Sequence, residues 1–137
     1  MRYPLMKAVA GCGLMLSALT ASAQYQPRQD PVRYQMQDQR EAREHNRLFD
    51  RIQGDLDRAH SATLPFSSDR ARVMRARQEV TECQNTVANG TYSRRSFDEA
   101  INAVQRVADA NRLSEQSRDY LLSDVRQLRD LQQRLEG

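Results

Sequence analysis

The chain has no Trp, a single Lys, two Cys and two His among its 137 residues, and only 6% of its residues are aromatic. A disulfide scaffold needs at least a pair of cysteines, and Cys12 lies in an N-terminal segment that is expected to be removed, which leaves Cys83 alone. No apolar run beyond the N-terminus is long enough for a transmembrane helix. The chain also lacks a nucleophile elbow, a phosphate-binding loop and an HExxH motif. These absences predict a protein that is not an enzyme and uses no cofactor.

The N-terminus has the pattern of a secretory signal peptide. Arg2 and Lys7 provide a positively charged start, and residues 8–20 form an apolar stretch that is too short to span a bilayer. Residues 21–23, Ala-Ser-Ala, match the small-x-small cleavage signal. The pattern predicts a signal peptide over residues 1–23, cleavage after Ala23 and a periplasmic or secreted protein.

An alternative processing site lies closer to the N-terminus. Residues 9–12, Val-Ala-Gly-Cys, match the lipobox of bacterial lipoproteins, which would place a lipid on Cys12. The best apolar stretch follows Cys12, whereas a signal peptide has this stretch before its cleavage site. This order favours the cut after Ala23, which leaves Cys83 as the only cysteine of the mature chain.

Removal of the signal peptide changes the charge balance. The full chain has a formal charge of +3, but Lys7 is its only lysine and is removed with the signal. The mature chain has 19 Arg against 18 acidic residues, a net charge of +1. Acidic and basic residues are interleaved, so their long-range fields largely cancel. This balance argues against nucleic acid as the partner.

Amphipathic periodicity predicts four helices and no strand. Residues 24–37 are assigned to a polar flexible leader, and residues 38–137 to a helical bundle domain. The first helix is expected over residues 38–62, although residues 30–31, Asp-Pro, offer an earlier start with Pro at the first helical position. Its apolar face consists of Leu48, Phe49, Ile52, Leu56 and Ala59.

Capping residues mark the other three helices. The second is expected to open at Ser67 or Ser68 and to close at residues 89–90, Asn-Gly. The third is expected to open at Ser96 with a capping box, and the fourth takes Ser114 as its N-cap. Their apolar faces consist of Val73, Ala76, Val80, Cys83 and Val87, then Phe97, Ile101, Val104, Val107 and Ala108, then Leu121, Leu122, Val125, Leu128, Leu131 and Leu135.

Four amphipathic helices joined by short links predict an all-α fold, a small antiparallel bundle. The mature chain has only 21 Leu, Ile, Val and Phe residues, so nearly all of them must lie on one inner seam. We therefore expect either a marginally stable monomer or a homo-oligomer that buries further surface at an interface.

Arginine clustering suggests an anion-binding role. Residues 70–77 contain four Arg, two on each flank of the apolar stripe at about 100° per residue. The structural alternative is that these side chains lie along the seam and pair with acids of neighbouring helices. The candidate anion-binding residues are Arg70, Arg72, Arg75, Arg77, Arg94 and Arg95.

Two further features could carry chemistry. Cys83 lies on an apolar stripe, which predicts a buried thiol, and the alternative is an intermolecular disulfide or a reactive free thiol. Asp38, Glu41 and His45 share one face of the first helix, but zinc sites usually need four protein ligands, so no metal site is predicted.

The sequence therefore favours an exported helical module that acts by protein–protein contact, in a structural or chaperone-like role. Its partner would be another protein or a second copy of the chain. The repeated Leu-Thr-x-x-Gln signature of the periplasmic envelope-stress chaperones is absent. One alternative is an anionic-polymer or membrane-surface binder that uses the arginines. A weaker alternative is a metal or thiol sensor.

Overall fold

The structure, a computed structural model, describes residues 31–137 and the side chains from residue 36 onward. Helix α1 spans Pro31–Ser61, α2 spans Ser68–Ala88, α3 spans Arg94–Ala110 and α4 spans Glu115–Glu136. The described range contains no strand, and the predicted all-α class is confirmed. The signal peptide, the cut after Ala23 and the alternative at Cys12 lie outside the described residues.

The four helices form an antiparallel bundle in which each packs against the next along the chain. Helix α4 closes the bundle by packing against α1, while the backbones of the diagonal pairs α1–α3 and α2–α4 make no close contact within the described residues. The links cover only residues 62–67, 89–93 and 111–114, and such short links leave room only for antiparallel neighbours.

The apolar faces predicted from periodicity form the core. Most of their members are fully buried, including Phe49 and Phe97, the largest side chains inside the bundle. Leu48, Val87 and Leu122 are half-buried against this core, and Leu135 is exposed at the end of α4. Additional buried alanines, Ala100 and Ala103, supply little apolar surface each, so α3 contributes many small side chains to the core.

Serine caps begin α2 and α4 as predicted, because the hydroxyls of Ser67 and Ser114 accept hydrogen bonds from backbone N–H groups in the first turn. The expected end of α2 is also confirmed. Asn89 is the C-cap, and Gly90 follows with φ +68, a left-handed conformation that glycine adopts without a steric cost.

The predicted start of α3 is wrong. The helix begins at Arg94, and Ser93 is its N-cap, with the Ser93 hydroxyl accepting from the backbone N–H of Ser96 at 3.2 Å. Ser96 lies inside the first turn, where its hydroxyl donates to that of Ser93. Glu99 pairs with Arg95 at 2.8 Å, so it does not complete a capping box.

Helix α1 begins at Pro31, the earlier of the two starts that the sequence offered, so residues 31–37 of the predicted leader are helical. With 31 residues, α1 is the longest helix, and every side chain from Met36 to Glu44 is exposed. The N-terminal part of α1 therefore extends past the core. It lies at the end of the bundle where α4 finishes.

Candidate interaction surface

The most exposed large apolar side chains lie on the link between α1 and α2. Phe66 has a relative exposure of 105% and Leu64 one of 76%, and Pro65 between them is also exposed. We call these three residues the apolar tip. Soluble proteins often expose single apolar residues, but neighbouring Leu and Phe side chains without intramolecular cover form a patch that suggests a binding surface.

Local hydrogen bonds hold the apolar tip in this orientation. The Ser67 hydroxyl donates to the Leu64 carbonyl at 2.7 Å, and the Ser67 backbone N–H donates to the same oxygen at 3.3 Å. Thr63 donates from its hydroxyl to the His60 carbonyl at 2.7 Å. Phe66 has φ +58, the left-handed conformation that is costly for a residue with a bulky side chain. The backbone therefore turns Phe66 outward in spite of a steric cost.

A shallow cavity beside the apolar tip is lined by two arginines, a histidine and no acid. Arg70, Arg77 and His60 face it, together with Ala71 and the half-exposed Met74 of α2. Arg77 also forms an ion pair with Asp57 of α1 at 3.0 Å, whereas Arg70 has no acidic partner among the described residues. The tip thus combines apolar side chains with an uncompensated positive charge.

The six candidate anion-binding arginines do not form one surface. Arg72 contacts Asp69 and donates from Nε to the Asn111 side-chain oxygen at 2.7 Å, on the flank that faces the α3–α4 link. Arg75 pairs with Glu79 of its own helix at 3.6 Å. Arg77 and Arg70 lie on the other flank, as the helical angle predicted.

The remaining two arginines lie at the opposite end of the bundle. Arg94 is 3.7 Å from Glu136 at the end of α4, and Arg95 is 2.8 Å from Glu99. Five of the six arginines therefore have an acidic neighbour within ion-pairing distance. This arrangement agrees with the structural alternative in which arginines pair with acids on their own or adjacent helices.

Cys83 is fully buried in the core on α2, as the stripe predicted. Burial raises the pKa of its thiol to about 12, which keeps it protonated at neutral pH. A protonated thiol without solvent access is a poor nucleophile, so a disulfide with another chain would require the bundle to open.

Asp38, Glu41 and His45 lie on one side of a groove between α1, the α2–α3 link and Leu135. Within residues 36–137, no group of three His, Cys, Asp or Glu side chains has the proximity of a metal site. Burial, followed by the charge of Arg134, lowers the pKa of His45, while two nearby glutamates oppose this effect. These contacts favour a neutral imidazole.

A polar seam between α1 and α4 was not found from the sequence. Asp124 is almost fully buried, and Nε of Arg51 lies 3.2 Å from its Oδ1. Asp55, also buried, contacts Arg58, whose guanidinium lies 5.6 Å from the centre of the Tyr120 ring. Burial raises the pKa of Asp124 to about 6, against the opposing effect of Arg51.

The sequence analysis identified neither the apolar tip nor the buried Asp124, although each had a signal in the sequence. Asp124 stands three residues after Leu121 and next to Val125, which places it on the apolar stripe of α4. Leu64 and Phe66 flank a proline in a link, where apolar side chains have no helical face to join.

Comparison with protein-family models, with curated proteins and with solved structures finds no match for this chain. None of the helices within residues 31–137 has the length and apolar character needed to cross a membrane.

Proposed function

We propose that the chain is an exported, non-enzymatic helical module that acts by contact, and that the apolar tip is its working surface. The observation that carries this proposal is the full exposure of the Phe66 side chain on a backbone in the left-handed conformation. A strained residue that adds nothing to the core makes sense where its side chain serves another purpose. The helices of the bundle then serve as the rigid support for the tip.

The chemistry of the tip supports contact with another molecule. Full burial of an exposed Phe or Leu side chain lowers the free energy by about 1.5–3 kcal/mol. Their backbone is already fixed by the Ser67 and Thr63 hydrogen bonds, so little conformational freedom is lost on binding. A preorganised apolar surface of this kind favours association.

The alternative in which all six arginines bind an anionic polymer has less support. The arginines divide between the two ends of the bundle, and five have acidic neighbours. An anion would have to compete with each of these carboxylates. Arg70, beside the tip, is the exception.

Site-specific photocrosslinking in cells tests the proposed surface. A photoreactive phenylalanine analogue replaces Phe66 in one variant and Arg129, exposed on α4, in the control. We expect a discrete adduct, with protein or with lipid, from position 66 and none from position 129. Leu64→Ser should weaken the adduct at position 66. Equal labelling at both positions, or no adduct at either, would contradict the proposal.

Export is tested separately by cell fractionation and N-terminal sequencing. We expect the chain outside the cytoplasm, with Gln24 as its first residue. A chain that stays in the cytoplasm with residues 1–23 attached would contradict the export part of the proposal.

A further inference from the structure

The apolar tip is convex. Leu64 and Phe66 project from a link at the end of the bundle, and the exposure of Phe66 shows that no neighbouring side chain covers it. A protein partner would need a matching pocket, and stable protein interfaces cover about 800 Å² on each side, far more than two side chains offer. A bilayer has no fixed shape and accepts a small protruding group.

The charges around the tip complement an anionic surface. Arg70 and Arg77 face the cavity beside Phe66, and no acidic side chain lines that cavity. Arg77 is paired with Asp57 at 3.0 Å, so the uncompensated charge beside the tip is that of Arg70. Basic side chains next to apolar ones are the combination that binds the boundary between headgroups and acyl chains.

We infer that the apolar tip binds the surface of a bilayer with anionic headgroups, with Leu64 and Phe66 entering the acyl boundary and Arg70 contacting headgroup phosphates. The inference rests on the proposed function and names the partner of its surface. Contact would be reversible, because two side chains and one or two charges provide only weak anchoring.

The absence of Trp from the chain permits a direct measurement. A Phe66→Trp variant places the only tryptophan at the tip, and a Leu135→Trp variant places it at the opposite end as a matched control. Both are mixed with vesicles of phosphatidylcholine alone or with 30% phosphatidylglycerol. We expect a blue shift and reduced quenching by acrylamide for Phe66→Trp with the anionic vesicles, and no change for Leu135→Trp.

Co-sedimentation of the full chain with the same vesicles supplies the second readout. Every variant carries the same residues 1–30, so differences report on the tip. We expect Leu64→Ser to weaken binding about tenfold, from the loss of one buried apolar side chain. Arg70→Gln should weaken binding several-fold to anionic vesicles only, and Arg129→Gln should have no effect. Circular dichroism verifies that each variant remains helical.

The outcomes separate this inference from the proposed function. If vesicles leave the emission wavelength and quenching of Phe66→Trp unchanged while the crosslink at position 66 joins a protein, the lipid inference is wrong and the proposed contact surface stands. If the crosslink is also absent, both are wrong. Equal binding by wild type and Leu64→Ser would likewise overturn the lipid inference.

Discussion

Arg51 donates from Nε to Oδ1 of Asp124, and this 3.2 Å contact joins α1 to α4 across 73 residues of sequence. Arg51 also contacts Gln127 one turn further along α4. The arginine side chain is about half exposed, whereas the carboxylate is buried, and its second oxygen has no hydrogen-bond partner within the described residues. The pair therefore leaves the charge of Asp124 only partly compensated.

Stability should fall as the pH rises through the range in which Asp124 ionises. Burial raises its pKa from 3.8 to about 6, so the folded chain holds a proton that the unfolded chain releases. The stabilisation is complete below about pH 4 and is lost as the pH rises through about 6, a loss of about 2–3 kcal/mol. Asp124→Asn should remove this loss. Urea unfolding at pH 4 and at pH 7.5 measures it.

Asp130→Asn is the matched control, because Asp130 is an exposed acid on the same helix. Its unfolding free energy should follow that of the wild type at both pH values. If Asp124→Asn kept the full wild-type difference between pH 4 and pH 7.5, another group would be responsible for it.

Cys83 should be protected from thiol reagents in the folded protein. It is fully buried and protonated at neutral pH, so an aromatic disulfide reagent should modify it at least a hundredfold more slowly than in urea. Cys83→Ser should lower the unfolding free energy by about 1–3 kcal/mol, because it buries a hydroxyl in an apolar core. Rapid modification of the native chain would show that the thiol is accessible.

Replacement of Phe66 by Asn should leave stability unchanged or raise it by up to about 1 kcal/mol. Asn tolerates the left-handed conformation better than Phe, and the exposed Phe66 ring makes no core contact that would be lost. Leu64→Asn, at a residue without positive φ, should stay within about 0.5 kcal/mol of wild type. Thermal melts measure both. A marked loss of stability in Phe66→Asn would mean that the ring supports the fold.

The start of α3 can be tested with two serines. Ser93→Ala should lower the unfolding free energy by about 1 kcal/mol, because the first turn loses the hydroxyl that caps it. Ser96→Ala should have a smaller effect, because its backbone N–H, which takes part in the cap, is retained. Denaturant unfolding of the two variants gives the order. The reverse order would favour a helix that begins at Ser96.

The sequence was sufficient to predict the helices and their buried faces, because helical periodicity is a local property of the chain. The spacing of Phe97, Ile101 and Val104 places them on one face of α3, and all three are buried. The start of α3 was harder to predict from the sequence, since Ser93 and Ser96 are both plausible N-caps. Arg94 lies in the extra turn and approaches Glu136 on α4, a contact between distant parts of the sequence.

The candidate site was harder to predict than the fold. Periodicity assigns apolar residues to helix faces, so it says nothing about Leu64 and Phe66, which lie in a link and remain uncovered. Asp124 lies on a predicted apolar face, but its partner Arg51 comes from the other side of the bundle. The Arg51–Asp124 pair depends on which helices become neighbours, and spacing within one helix carries no information about that.

Because α4 packs against α1, the four helices can be connected in a different order. Glu44 and His45 border the same small cavity as Arg134, so the part of α1 where core packing begins lies beside the end of α4. A short engineered linker can join the end of α4 to this part of α1. The chain can then be cut in the 62–67 link without separating any pair of packed helices. Such a circular permutant should fold to the same bundle, with new termini in place of the tip.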